Sequence, residues 1–171
     1  MNENIQPNQQ IFLKNASYYT PDGFKSGNIL VENGKITEIY TEMPDLTGID
    51  QPVLLYDVKD KKVLPGAIDT HVHVREPGWP EREDFFSGTA AALAGGITTI
   101  CQMPNTQPTP HDLSSLAEMQ QAAKPKLLCD MAVYAAAGYD NREQLAALAQ
   151  EGICGFKTFL QFSNGNIKAP K

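Results

Sequence analysis

Between Ile11 and Leu64, apolar and polar residues alternate over short runs that are separated by turn residues. An alternation with a period of two predicts β-strands that are buried on one face. Asn33-Gly34 lies between two such runs and predicts a two-residue hairpin, and residues 21–23 predict another turn. We therefore predict a small antiparallel β unit over residues 1–64, with a surface loop at 43–52.

After Leu64 the pattern changes to apolar runs that alternate with amphipathic segments of about a dozen residues. The apolar runs predict strands at 66–74, 97–103, 126–137 and 153–162, and the segments between them predict helices at 81–96, 111–123 and 141–152. Strands that alternate with helices form right-handed βαβ units around a parallel sheet. Residues 65–171 therefore form a small open sheet or the first half of a (β/α)₈ barrel, since a whole barrel takes about 250 residues.

Composition and charge narrow the classes of partner. The chain is 42% hydrophobic and carries a net charge of −6 without a cluster of Lys or Arg, which argues against nucleic acid and anionic membranes. No apolar run reaches the roughly 18 residues of a membrane span. Three widely spaced cysteines, Cys101, Cys129 and Cys154, suit reduced and buried thiols in a cytoplasmic protein.

Two histidines, His71 and His73, lie two residues apart at the end of the first predicted parallel strand. Side chains alternate between the faces of a strand, so both imidazoles point the same way, in phase with Asp69 and Arg75. Two ring nitrogens on one face can bind one cation, or the two histidines can simply form hydrogen bonds on the strand. Their position favours a metal site, because the active sites of α/β folds lie at the carboxyl ends of strands.

Lys157 lies between Phe156 and Phe159 in the fourth predicted strand. An unpaired ammonium in a buried strand is costly. Either the side chain extends until its amine reaches solvent, or the amine loses its proton and reacts with CO₂. The second reaction would give an anionic carbamate with two oxygens that can bind metal. In a chain that also carries His71 and His73, we favour the carbamate.

Two further polar residues follow the first two strands of the predicted parallel sheet. Arg75 follows the histidines, and Asn105 stands in the Pro-rich stretch QMPNTQPT after the second strand. A solvated arginine and an ordinary turn asparagine are the simplest interpretations. At one rim, however, a guanidinium can hold a carboxylate at two points and an amide can complete the contact.

These features together resemble the cyclic amidohydrolases, and among them most closely the dihydroorotases. The matching segments cover most of the chain from Leu64 to Leu160: PGAIDTHVHVREPG, EDFFSGTAAALAGGITTICQMPNTQPT and GFKTFL. The segment GNILVENGKITEI also resembles the N-terminal β portion of that family.

The resemblance implies an α/β fold: the first half of a TIM-type (β/α)₈ barrel at 65–171, preceded at 1–64 by the N-terminal part of a composite β-sandwich domain. It also implies a binuclear metal site, commonly zinc, at the barrel mouth. His71 and His73 would bind the more buried metal, and Lys157, carboxylated by CO₂, would bridge the two metals. Arg75 and Asn105 would hold the carboxylate of a small-molecule substrate.

The implied reaction is the reversible hydrolysis of dihydroorotate to N-carbamoyl-aspartate, a step of pyrimidine biosynthesis, by an enzyme whose full-length form is a homo-oligomer. The family's other two metal-binding histidines and its catalytic aspartate lie on later strands, and no residue here matches them. The remaining histidine, His111, suits capping or exposure at the start of a helix. We therefore expect an N-terminal fragment of a longer enzyme, which alone aggregates or stays partly unfolded and is inactive.

Two alternatives stay open. Hydantoinases and allantoinases share the His-x-His and the lysine, but they usually lack the arginine and the MPNT form, so Arg75 and Asn105 favour dihydroorotase. The other alternative is a metal-free, dihydroorotase-like scaffold that supports a partner such as a transcarbamoylase. Such a scaffold has no physical reason to keep His71, His73 and Lys157, which argues against it.

Overall fold

The structure is a computed structural model that describes residues 10–47 and 53–159. The chain divides into two compact units, Met1–Pro65 and Gly66–Lys171, called the N-terminal and the C-terminal unit below. Among the described residues, no helix combines the length and the apolar character needed to cross a membrane.

The N-terminal unit is one sheet of five strands in the order β3-β2-β1-β4, with β5 also paired to β1. The strands are β1 (Gln10–Thr20), β2 (Gly23–Glu32), β3 (Lys35–Tyr40), β4 (Val53–Asp57) and β5 (Lys62–Val63). Asn33 and Gly34 both have positive φ, at 50° and 75°, as a type I′ hairpin turn between β2 and β3 requires. Both predicted turns are therefore present.

The sheet of the N-terminal unit is mixed, so the prediction of a purely antiparallel unit is wrong. β1 is antiparallel to β2 but parallel to β4 and β5. The long connection from Tyr40 to Val53 gives the chain room to return and enter beside β1 in the same direction. Of the predicted loop 43–52, residues 43–47 lie outside any strand, and 48–52 lie outside the described residues.

The C-terminal unit is a parallel sheet of four strands in the chain order β6-β7-β8-β9. Its elements are β6 (Ala67–Val72), α1 (Phe85–Ala94), β7 (Ile97–Gln102), α2 (Leu113–Ala123), β8 (Asp130–Ala136), a 3-10 helix (Tyr139–Gln144), α3 (Leu145–Gln150) and β9 (Gly155–Lys157). Each predicted strand and helix of this half is present. The predicted bounds were wider, except that the third helical stretch begins as a 3-10 helix at Tyr139, before the predicted start at residue 141. The last predicted strand, 153–162, runs beyond Phe159 and so partly lies outside the described residues.

Apolar side chains from the strands and from all three helices form one core cluster in the C-terminal unit. Its buried members are Val74, Phe85, Ile100, Leu116, Met119, Ala123, Val133, Ala135 and Leu148. Strand order that follows chain order, with helices packed against the sheet, is the arrangement of successive βα units in a (β/α)₈ barrel.

Two helices begin at a matching pair of aspartate and serine residues. Asp84 accepts a hydrogen bond of 2.7 Å from the backbone N–H of Ser87, and Asp112 accepts one of 2.8 Å from that of Ser115. In each case the serine hydroxyl in turn accepts from the aspartate N–H, which completes a capping box. The predicted start of the first helix at residue 81 is therefore too early, because the N-cap at Asp84 fixes where the helix can begin.

The three cysteines are free, but they are not all buried as predicted. Cys101 is buried, Cys129 is half-buried and Cys154 is exposed. Desolvation, together with the neighbouring Cys101 thiol, raises the pKa of Cys154 to about 11. The Cys154 thiol is therefore protonated at neutral pH, and this lowers its reactivity although it is exposed.

The capping box at Asp112 gives a stability prediction. Hydrogen bonds from the Ser115 backbone and hydroxyl lower the pKa of the Asp112 carboxyl. A carboxyl with a lowered folded-state pKa stabilises the fold above its unfolded pKa of about 3.9, and this stabilisation is lost as the pH falls through the folded value. We expect Asp112→Ala to reduce the free energy of unfolding by about 1 kcal/mol at neutral pH, and less below about pH 4.

Urea denaturation of the natural full-length protein that contains this chain would measure this difference. The matched control is Glu118→Ala, because Glu118 is an exposed acid on the same helix outside the cap. Equal loss of stability in the two variants would show that the cap at Asp112 does not stabilise the helix.

Candidate active site

The candidate side chains lie at the carboxyl ends of the strands of the parallel sheet. β6 ends at Val72, β7 at Gln102 and β9 at Lys157. His71 is in the last two residues of β6, His73 directly follows it, and Asn105 is the third residue after β7. Carboxyl ends of parallel strands meet at one rim, which is where active sites of barrel folds are built.

The two histidine rings converge. His71 Nε2 lies 3.2 Å from His73 Nε2, and the ring centroids are 5.1 Å apart. Two imidazole nitrogens bound to one tetrahedral zinc ion, each at about 2.0 Å, lie about 3.3 Å apart. The spacing of the two nitrogens therefore fits two ligands of one cation, and the expectation that both side chains share a face holds.

His73 is oriented by Asn105. Its Nδ1 lies 2.6 Å from Oδ1 of Asn105. An amide oxygen only accepts hydrogen bonds, so the proton of a neutral His73 is on Nδ1 and the lone pair is on Nε2, the nitrogen that faces His71. Metal-binding histidines usually have such a partner on the nitrogen that does not bind the metal. Asn105 thus contacts a candidate ligand, a role that its place in a Pro-rich turn did not indicate.

The backbone that carries these residues is held by the side chain of Gln102, which is fully buried. Gln102 Oε1 accepts from Val74 N–H at 2.9 Å, and Gln102 Nε2 donates to Val74 C=O at 2.9 Å. The same amide donates to Met103 C=O at 3.1 Å, while Met103 N–H donates to Val72 C=O at 2.8 Å. In the sequence, Gln102 could have been noticed as a polar amide at the end of an apolar strand.

Glu76 anchors the chain directly after Arg75. Its side chain is buried, its Oε2 accepts from Phe85 N–H at 3.0 Å at the start of α1, and its Oε1 forms an ion pair with Lys126. A buried carboxylate needs such partners, because an unpaired charge is costly in the interior. Arg75 therefore lies between two anchored residues, Val74 and Glu76, and is itself half-buried.

Lys157 lies on a strand that does not pair with the strand of the histidines. It is the last residue of β9, at the opposite edge of the sheet from β6, with β7 and β8 between them. Its side chain is half-buried rather than buried as predicted, and Nζ lies 5.8 Å from the centre of the Phe159 ring. Three intervening strand spacings of about 4.8 Å separate it from β6 along the sheet.

The described part of the chain supplies an incomplete set of metal ligands. Within residues 10–47 and 53–159, no three His, Cys, Asp or Glu side chains are grouped closely enough to hold a metal ion. His111 does not join the pair: its Nδ1 is 2.8 Å from Thr109 C=O and its Nε2 is 3.6 Å from Asp112. The residues that fit a cation are therefore His71 and His73.

A protein-family model and the most similar known sequences point to the same family. The model of the amidohydrolase family matches residues 62–170. The chain is 36% identical over 166 residues to the multifunctional protein CAD of Squalus acanthias, covering 91% of the chain and 7% of that protein. It is 36% identical to an allantoinase of Streptomyces avermitilis, covering 88% of the chain, and 34% identical to a dihydroorotase of Listeria monocytogenes, covering 84%.

The chain spans about a third of the length of the last two relatives, 34% in each case. Among solved structures, the L-hydantoinase (dihydropyrimidinase) of Arthrobacter aurescens matches with a TM-score of 0.79 and 29% identity. That match covers 94% of this chain and 35% of the hydantoinase. The α/β fold is the first half of a TIM-type barrel preceded by a small β unit, as predicted, and the chain belongs to the amidohydrolase family.

Proposed function

We propose that the protein containing this chain is a metal-dependent cyclic amide hydrolase of the dihydroorotase type, which interconverts dihydroorotate and N-carbamoyl-aspartate in pyrimidine biosynthesis. The observation that carries this proposal is the position of Arg75, two residues beyond a pair of histidines whose Nε2 atoms are 3.2 Å apart. An arginine that follows a candidate metal site so closely in the chain suits a cyclic substrate that carries a carboxylate.

His71 and His73 would hold one of two divalent cations, which we propose to be zinc, through their Nε2 atoms. A bound cation of this kind acts as a Lewis acid towards a carbonyl and supplies a nucleophile at neutral pH. Lys157, carboxylated by CO₂, would contribute anionic oxygens from the opposite edge of the sheet. The remaining ligands and the group that moves the proton are not assigned to residues of this chain.

Arg75 and Asn105 would recognise the substrate. The guanidinium can hold both oxygens of a carboxylate. Asn105 Oδ1 already contacts His73 at 2.6 Å, which leaves the amide Nδ2 as a donor for the same carboxylate. The two residues would then place the ring carbonyl near the histidines, as hydrolysis requires.

A second candidate is hydrolysis of a cyclic ureide without this carboxylate, as in hydantoinases and allantoinases. The 36% identity to an allantoinase and the structural match to an L-hydantoinase favour it. Turnover of dihydroorotate, hydantoin and allantoin, compared side by side, separates the two candidates.

A third candidate, a metal-free scaffold, would be favoured if the carefully purified full-length protein held no zinc or similar cation.

Arg75 gives a direct test. We expect Arg75→Ala to lower kcat/KM for dihydroorotate about 10- to 100-fold, mainly through KM, because a charged hydrogen-bonded contact to the substrate is lost. Turnover of dihydrouracil, the same ring without the carboxylate, should stay unchanged. Steady-state kinetics of the natural full-length protein would measure both values.

The matched control for Arg75 is Arg82→Ala, because Arg82 is an exposed arginine of the same connection between β6 and α1. This variant should keep wild-type kinetics with both substrates. Unchanged turnover of dihydroorotate in Arg75→Ala would refute the assigned role of Arg75.

Asn105 gives a test whose first readout, the metal content, does not depend on turnover. Asn105→Leu removes the acceptor for His73 Nδ1, so we expect metal affinity to fall about 10- to 100-fold. Asn105→Asp keeps an acceptor at the same place, so it should retain the metal while weakening dihydroorotate binding through repulsion of its carboxylate. Metal content after dialysis against a chelator measures the first effect, and KM measures the second. Equal metal loss in both variants would contradict the orienting role of the amide oxygen.

A further inference from the structure

We infer that Gln102 is a positioning residue that sets the direction of Arg75, and thereby the affinity for the substrate carboxylate. This inference rests on the proposed function of Arg75. Gln102 is fully buried, and its single amide group bonds both the N–H and the C=O of Val74, each at 2.9 Å. Nothing in the sequence periodicity assigns this role to it.

The side chain of Gln102 replaces the backbone of a neighbouring strand as the hydrogen-bond partner of Val74. The backbone pairing of β6 with β7 ends at Val72 and Gln102. Beyond that point the amide side chain of Gln102 offers Val74 the donor and the acceptor that a neighbouring peptide would have offered. The hydrogen-bonded segment thus continues for two residues past β6 and ends where Arg75 begins, because the Val74 C=O belongs to the peptide bond that joins Val74 to Arg75.

Packing against helix α1 also restricts Val74. Val74 is 1% exposed and belongs to the core cluster. Gly88 of α1 lies against it so closely that a Cβ at Gly88 would be 3.1 Å from Val74 Cγ2. Arg75 C=O accepts from Trp79 N–H at 2.9 Å, so the turn after it is also bonded. The backbone at Arg75 therefore has little freedom while Gln102 keeps its two contacts with Val74.

Gln102 also holds Val74 N–H, which belongs to the peptide bond between His73 and Val74, but His73 has two further supports that Arg75 lacks. Met103 N–H bonds Val72 C=O on one side of His73, and Asn105 bonds its ring. Loss of the Gln102 amide should therefore act first on the segment after Val74. We expect Gln102→Met, which keeps the length and apolar volume of the side chain, to leave metal content unchanged.

The test is a double-mutant cycle in the natural full-length protein. Gln102→Met should raise KM for dihydroorotate about tenfold with a smaller change in kcat, because a misdirected guanidinium mainly loses binding. In the Arg75→Ala background the same substitution should change kcat/KM by no more than about twofold, since the group it positions is already absent. An equal factor in both backgrounds would overturn the inference.

Asn141 provides the matched control. It is also a buried amide with three backbone contacts: it accepts from Gly138 N–H and donates to His111 C=O and Ala136 C=O, at 2.8–2.9 Å. It lies after β8, away from Arg75 in the chain. Asn141→Leu should cost comparable stability, yet leave KM for dihydroorotate unchanged. A rise in KM equal to that of Gln102→Met would show a general effect of lost stability and overturn the inference.

Gly88→Ala keeps the inference testable if Gln102→Met does not fold, and hydrogen exchange adds a readout for the folded variants. Gly88→Ala presses on Val74 without removing a polar group, and it should raise KM in the wild-type background only. Amide hydrogen exchange at Val74 should be faster in Gln102→Met than in Asn141→Leu, and this result does not depend on any activity. Unchanged kinetics of Arg75→Ala itself would refute the proposed function, whereas unchanged exchange at Val74 would refute the role of Gln102.

Discussion

The contacts between the Gln102 amide and the backbone of Val74 join the sheet to the segment that carries the candidate chemistry. Strand pairing alone ends at Val72, one residue before His73. With the amide contacts, the backbone remains hydrogen-bonded at Val74, between His73 and Arg75. The buried Glu76 then connects the same segment to the first turn of α1 and to Lys126. A rigid scaffold of this kind is what positions side chains at the rim of a barrel.

Much of the fold could be predicted because local signals and tertiary structure agree. The Asn33-Gly34 turn, the change from period two to strand and helix, and the shared face of His71 and His73 all follow from backbone geometry. The direction of β4 could not be predicted, since alternation is the same in parallel and antiparallel strands. The helix starts could have been placed better, because Asp84 with Ser87 and Asp112 with Ser115 are capping pairs that the sequence displays.

The candidate site was predictable in its residues but not in their contacts. His71, His73, Arg75 and Asn105 stand out by type and by their position after strands. The contact from His73 to Asn105 depends on how two strand ends approach each other, and no spacing within one segment encodes that distance. The same holds for Gln102, whose neighbours in space are 28 residues away in sequence. Lys157 lies on the fourth parallel strand, as predicted, and its role as a bridging ligand stays a prediction.

A side chain that takes the place of a peptide beside Val74 leaves the next position in the chain free to vary. Val74 is held by Gln102 through its backbone alone, so the hold does not depend on which side chain follows at position 75. Under the proposed function, the residue at position 75 can therefore change while the two histidines and the sheet beneath them keep their geometry. A replacement at this single position would then alter the substrate preference without removing the hydrogen bonds that hold Val74.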